Sequence, residues 1–306
     1  LWGMSQFEYS GKCLIKPHTH NFENGSCPCG ETCVASVTAD GTEEFYSSFD
    51  EAWAAAIENQ GSTLTLQRDV ELAKENHGPS VSEGTFTLDL NGKTLKQDAF
   101  AELLEVSGTA NITIKNGKLV NTLDLNRSDV TVTQGVALEI SGGTVALDGV
   151  ELTSGRGYNG QKSDALYMEG GNLTVKDCNF LGRFDARYSP NERPKLKVEN
   201  TRISDGIFLP FFDSDQPDYD AVKAIFAEGS MLFDQDDKYI DLASKEYWLI
   251  ENVGAIFFYT EKCIVKPHTH KVVNGACECG ATFAASVTQN GAVTYYKDFN
   301  EALSAA

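Results

Sequence analysis

Five stretches decide the fold: LDLNGKTL at 88–95, ITIKNGKL at 112–119, VALDGVEL at 145–152, LTVKDCNF at 173–180 and LKVENTRI at 196–203. Each alternates apolar and polar residues, breaks, and resumes. A period of two buries one face of a strand. Successive starts lie 24, 33, 28 and 23 residues apart, too close for a helical crossover at every step, and helical periodicity is absent. A second set runs between them, at Leu104–Val106, Leu138–Ile140 and Leu166–Met168, with glycines close behind each. A chain that adds about 25 residues per turn and repeats its apolar rows predicts a right-handed parallel β-helix over 62–208. Leu88, Leu90, Ile112, Ile114, Val145, Leu147, Leu173, Val175, Leu196 and Val198 are the expected inward rows. The Asn-Gly, Asp-Gly and Gly-Gly pairs are expected at the corners, where the backbone turns sharply.

Outward from this block, the chain restarts. Tyr9–Ala56 and Tyr259–Ala306 match at a constant offset of 250, without insertion or deletion. A restart of this length is a whole domain beginning again, so the chain reads as one unit plus the head of the next in a tandem array. Residues 1–11 are taken as the end of a preceding unit. Residues 12–47 form a metal knuckle and hairpin, 48–61 a capping helix, and 62–208 the β-helix. Residues 209–258 are a cap and connector, with a helix expected over 218–233 and strands over 238–258. Residues 259–306 are the next head.

In the head, Asp40-Gly41 and Asn290-Gly291 occupy the same place between alternating segments, and both pairs suit a tight hairpin turn. Ser48-Phe49-Asp50-Glu51 has the form of a capping box. Phe49, Trp53, Ala56 and Ile57 share one face of the helix behind it, and Gln60-Gly61 ends it.

The first part of the head, about 12–32, is too short and polar to hold itself by apolar burial and needs a staple. Cys13, His18, His20, Cys27 and Cys29 recur as Cys263, His268, His270, Cys277 and Cys279. Three recurring thiols cannot all pair within one head, and thiolate with imidazole is the donor set zinc prefers in four-coordinate structural sites. Five candidates for four places leave one spare. Alternate side chains of an extended segment point opposite ways, which favours Cys13, His20, Cys27 and Cys29 and leaves His18 out. Gly25 and Gly30 would let the backbone wrap the ion. One zinc per head, closed and structural, is the expectation; a disulfide from Cys13 to Cys27 or Cys29, or a reduced loop without metal, are the alternatives. Cys33 becomes Phe283 in the second copy and reads as packing. Cys178 reads as a small buried hydrophobe, and His77 as a solvated loop residue.

The net charge of -19, from 25 basic and 44 acidic side chains, argues against nucleic acid or an anionic membrane as partner. No apolar run approaches the roughly 20 residues of a membrane span. The pattern Tyr-x-x-Phe-x-Glu-Ala-x-x-Ala-Ala, then Thr-Leu-x-Leu-x-x-Asp-Val, then LDLNGKTL resembles the large repetitive surface proteins of gut-dwelling Gram-positive bacteria. Those carry pectate-lyase-like right-handed β-helix domains, and the Cys/His head resembles the small metal-knuckle segments between their modules. The resemblance implies an extracellular, cell-surface location and partners among neighbouring modules, glycans or host surface proteins.

The same fold hosts polysaccharide lyases and glycosidases. Asp89, Asp148, Asp177 and Glu199 lie at strand or corner positions and read as a solvated face. The excursions 155–164 and 182–193 are the expected ligand loops, with Arg156, Tyr158, Arg183, Asp185, Arg187 and Tyr188 as candidate contacts. No catalytic set can be matched. The reading is a non-catalytic stalk or adhesin module, with a carbohydrate-active β-helix enzyme or a glycan-binding module as the alternative.

Overall fold

The computed structural model describes residues 20–72, 78–98, 102–123, 135–156, 163–186, 196–211, 225–226, 230–241, 247–250, 254–268, 271–277 and 282–306, the side chains of 210–211, 247–250 and 254–258 aside. The molecule is mainly β, with parallel sheets. In the first sheet, Ser62–Leu66, Thr85–Asp89, Asn111–Asn121 and Thr144–Thr153 pair in parallel, followed by Asn172–Lys176 with Asn179–Leu181 and then Leu196–Glu199 with Thr201–Ile203. In the second sheet, Ser80–Val81, Glu102–Val106, Val136–Ile140, Asp164–Met168, Arg183–Ala186 and Ile207–Phe211 pair in parallel. The chain visits the two sheets in turn, and both contribute to one hydrophobic core.

Parallel register stacks like on like. Leu64, Leu88, Ile114, Leu147, Val175 and Val198 form one buried row, and Phe86, Ile112, Val145, Leu173 and Leu196 the next. Leu104, Leu138, Leu166, Phe184 and Ile207 form a row of the second sheet. All ten residues expected inward are buried. Each such side chain contributes about 1.5–3 kcal/mol on burial, so the rows are the main favourable term.

The first of the five stretches is out of register with the others. Ile112 pairs with Phe86, and Leu88 pairs with Ile114. The reason lies at the corner. From Leu88 to Leu95 the chain carries two residues more than from Ile114 to Leu119. The surplus folds into a turn closed by Lys93 N–H to the Leu90 carbonyl (2.7 Å), with Leu90 buried beneath it. This turn lies over Gly117. A Cβ there would sit 2.4 Å from the Leu90 Cβ and 2.6 Å from the Lys93 carbonyl oxygen. The corners themselves use left-handed residues: Asn91, Asn116, Gly149, Asp177 and Asn200 have φ of 49°, 59°, 64°, 53° and 40°. Asn and Asp tolerate this region because their side chains bond locally. Here they also bond between turns of the chain, Asn91 Nδ2 to the Leu66 carbonyl (3.0 Å) and Asn116 Nδ2 to Asp89 Oδ1 (3.2 Å).

The outer face of the first sheet is a ladder of alternating charge. Asp89, Lys115, Asp148, Lys176 and Glu199 are successive register partners, with Lys115 Nζ 3.3 Å from Asp89. Beside it, Lys118 pairs with Glu151 at 3.0 Å, and Asn179 donates to Glu151 at 3.1 Å. Opposite charges directly across a ladder stabilise it and like charges do not. These carboxylates therefore hold register.

Both ends of the parallel stack are closed by antiparallel strands. At the start, the hairpin Ala35–Ala39/Thr42–Tyr46 adds to Ser62–Leu66, turning through Asp40 (φ 49°) and Gly41 (φ 77°). The helix Phe49–Glu58 then covers the end, with Ser48 Oγ accepting from Glu51 N–H at 3.1 Å. The capping box is half made, since the Glu51 carboxylate bonds Ser47 Oγ (3.5 Å). Trp53 stacks edge-on against Phe86 (5.1 Å), and its Nε1–H donates to the Ser80 carbonyl (3.3 Å) on the edge of the second sheet.

At the other end, Cys263–Pro267 pairs antiparallel with Thr201–Ile203 and Ser230–Asp234, and Gly254–Tyr259 pairs with Ile207–Phe211 and Tyr247–Ile250. The helix expected over 218–233 is corrected at its end: Ser230–Asp234 is a strand, because its alternation fits the open sheet edge beside it. Residues 218–224 and 227–229 of that expectation lie outside the described residues.

The second head repeats the first in form: a hairpin, Ala285–Gln289/Ala292–Tyr296, and a helix, Phe299–Ala305, capped by Asp298. Its two large apolar side chains are exposed while Ala302 between them is buried. Phe299 and Leu303 are 62% and 65% exposed, whereas their counterparts Phe49 and Trp53 are 5% and 7% exposed beneath the stack.

Two consequences can be measured by denaturant unfolding. Trp53→Ala should cost about 3–5 kcal/mol, the range for a buried aromatic, while Leu303→Ala should leave stability unchanged. Gly117→Ala should cost about 1–3 kcal/mol by overpacking against the 90–93 turn.

Candidate metal centre

The head is held by turns. Asn24 (φ 50°) and Gly25 (φ 80°) form a tight hairpin in which Glu23 and Ser26 exchange backbone hydrogen bonds of 2.9 and 3.1 Å. Asn274 (φ 54°) and Gly275 (φ 81°) repeat it between Val272–Val273 and Ala276–Cys277. The recurring Asn-Gly pair is the sequence signal for this hairpin, and alternation alone misses it because the arms are only two residues long. Next, Cys27-Pro-Cys-Gly30 turns back on itself, with Gly30 N–H to the Cys27 carbonyl (2.9 Å) and Cys27 N–H to the Glu31 carbonyl (2.8 Å). Gly30 has φ 94°, open to glycine and strained for other residues.

This turn gathers three donors. His20, Cys27 and Cys29 each place a ligand atom within 4.8 Å of the others, and Cys29 Sγ lies 3.5 Å from His20 Nδ1. The group could hold a metal ion. Its electrostatics suit one. The Cys27 thiol is pulled down to about 6, chiefly because the Cys29 backbone N–H points at its sulfur, with help from the Cys29 and His20 side chains and the Asn21 N–H, against burial. At Cys29 the Glu31 N–H favours the thiolate, but the bond to Cys27, burial and the Cys27 charge outweigh it and raise this thiol.

In the second head, His268 Nε2 lies 3.0 Å from Cys277 Sγ, and the imidazole packs against Phe233 (5.6 Å) and Tyr239 (6.5 Å). Cys263 lies elsewhere. It is buried in the strand Cys263–Pro267, belongs to the hydrophobic core, and has its thiol pushed up to about 12 by burial. Cys13, His18, His270 and Cys279 lie outside the described residues. All six described cysteines are free thiols. Cys33 and Cys178 are buried, as packing residues should be. Cys178 Sγ donates to the Lys176 carbonyl (3.1 Å), and its thiol is raised to about 11 by burial.

The expected ligand loops need correction. Asp164–Met168 and Arg183–Ala186 are strands of the second sheet, so Arg183 and Asp185 are sheet residues. Their alternation is short and interrupted by charge, which concealed it. Arg183 Nε bonds the fully buried Asp164 at 2.6 Å, and its guanidinium lies over the Phe208 ring. Asp185 is buried as well. Arg156 is exposed at the edge of the described residues; Tyr158, Arg187, Tyr188 and His77 lie outside them.

Two further features were not anticipated. Glu105 and Glu139 are register partners in the second sheet, and the Glu139 carboxyl is pushed up to about 7 by burial first and then by the charges of Glu102, Glu105 and Glu169. A cleft of about 610 Å³ lies between Asn179, Asn200 and Arg202 on one side and Asp234, Asp237, Lys262 and Lys266 on the other. No helix among the described residues is long and apolar enough to cross a membrane. No family model, no curated protein and no solved structure matches this chain.

The thiol pair gives a pH test. The folded pKa of Cys27 lies below its ordinary value of 9.0. Its ionisation therefore favours the folded head fully above about 9, and that contribution fades as pH falls through about 6. In the metal-free chain, alkylation of Cys27 followed by mass spectrometry should show a midpoint near 6, and His20→Ala should move it upward.

Proposed function

We propose that this chain is a non-catalytic repeat unit of a large bacterial surface or secreted protein, in which a right-handed parallel β-helix is a rigid stalk and a zinc-stapled head forms each joint. The observation that carries this reading is the repetition of the head. The first packs Phe49 and Trp53 onto a parallel stack; the second has the same hairpin and helix 250 residues on. A face built to carry a stack, present twice at a fixed offset, suits an array.

Three other features support the reading. Chain segments about 25 residues apart pair in parallel in two sheets, turn after turn, as a solenoid requires. The charge ladder absorbs Asp89, Asp148 and Glu199 into register keeping, and the Asp164 pair absorbs Arg183. Zinc is the metal of choice for the head because two close thiols beside an imidazole match its soft and borderline donors. Arrays also multiply weak contacts, as an adhesin for glycan or host protein would need.

The test is functional. A panel of acidic and neutral polysaccharides should show no turnover. Glycan or host-protein binding should be weak for one unit and should strengthen with the number of units joined. Sustained depolymerisation that Arg156→Ala abolishes would establish the carbohydrate-active enzyme instead.

A further inference from the structure

We propose that each head binds its metal through two histidines and two cysteines, and that the first cysteine of the second head, Cys263, is a core residue of the sheet and no ligand. For the first head this means His18, His20, Cys27 and Cys29. The proposal rests on the metal reading above and changes its donor set.

The second head shows why. Cys263 opens a strand and His268 follows its last residue, Pro267. Five residues of extended chain at about 3.3 Å each put their Cα atoms roughly 16 Å apart. Bonds of about 2.3 Å to sulfur and 2.0 Å to nitrogen, added to these two side chains, do not span that distance. The faces are opposed as well. Cys263 and Val265 are buried in the core. Ile264 is paired with Phe233, so these two lie on the other face, and it is Phe233 that the His268 ring packs against. On that side His268 reaches Cys277 at 3.0 Å.

The two heads display complementary halves of one site. In the first, the second histidine of the pair, His20, meets Cys27 and Cys29. In the second, the first histidine of the pair, His268, meets the counterpart of Cys27. Opposed alternation was the reason to exclude one histidine, and it does not apply: neither His20 nor His268 lies in a strand. Superposed by the repeat, the contacts give two imidazoles and two thiols. A divalent ion with two thiolates and two neutral imidazoles carries no net charge, which favours a closed structural site at a joint.

The full chain would be loaded with zinc, freed of excess and assayed by elemental analysis and zinc-edge X-ray absorption. The expected result is one zinc per head, with equal nitrogen and sulfur shells. Cys263→Ala should keep the full zinc content and lower the unfolding midpoint. His268→Ala should lose one head's zinc, as should His18→Ala. His268→Cys keeps four donors and guards against simple misfolding; it should retain the zinc and raise the sulfur share. Loss of one head's zinc in Cys263→Ala, with three sulfurs per nitrogen in the unaltered chain, overturns this donor set and leaves the metal reading standing. An unaltered chain that takes up no zinc overturns both.

Discussion

An open parallel edge is the constraint on which this molecule depends. Every turn of the chain satisfies the backbone groups of the turn before it, but the first and last turns have no such neighbour. The chain meets this at both ends with strands of the opposite direction. The hairpin Ala35–Ala39/Thr42–Tyr46 extends the first sheet at one end, and the strand Cys263–Pro267 does so at the other. Where the edge of the second sheet is too short to pair, the Trp53 indole supplies a donor to the Ser80 carbonyl. The helix that carries Trp53 is therefore part of the edge closure, and Phe299–Ala305 repeats that helix in the second head.

Register follows from that edge. A parallel stack of similar turns could slip by one turn at modest hydrophobic cost, because each row is apolar throughout. Three local features oppose slippage. The alternating charges from Asp89 to Glu199 favour one order. The left-handed corners at Asn91, Asn116, Gly149, Asp177 and Asn200 must coincide. The surplus turn at Leu90–Lys93 fits only over a residue without a Cβ, and Gly117 is that residue. The two-residue difference between first and second turns was present in the sequence, but alternation has the same phase after a shift of two. Pattern alone therefore aligned Leu88 with Ile112, and only the pairing shows Phe86 in that place.

The head solves a different problem. It has too few apolar residues for a core of its own, so turns place its polar donors, and the His20, Cys27 and Cys29 group could hold a metal ion. Its cysteines divide accordingly. Cys27 and Cys29 stand in a turn whose backbone N–H groups favour the thiolate. Cys263 lies in a sheet whose burial favours the thiol. The residue type is the same, and the backbone around it sets the chemistry. The second copy of the repeated head thus begins, in structural terms, with a strand that closes the stack before it.

The sequence by itself determined the β character, the inward rows, the tight hairpins, the helix cap and the gathering of His20, Cys27 and Cys29. Each of these is local, set by periodicity, by the φ preference of Asn, Asp and Gly, or by donor type within ten residues. Tertiary structure alone decided the partners. It put Arg183 and Asp185 in a sheet, turned the end of an expected helix into the strand Ser230–Asp234, and placed Cys263 in the core away from His268. Those outcomes depend on which edge stands open beside a segment, and an edge is made by residues tens of positions away. A cysteine's spacing from a histidine is written in the sequence; the face of the strand on which it lands is fixed only when that strand finds its neighbours.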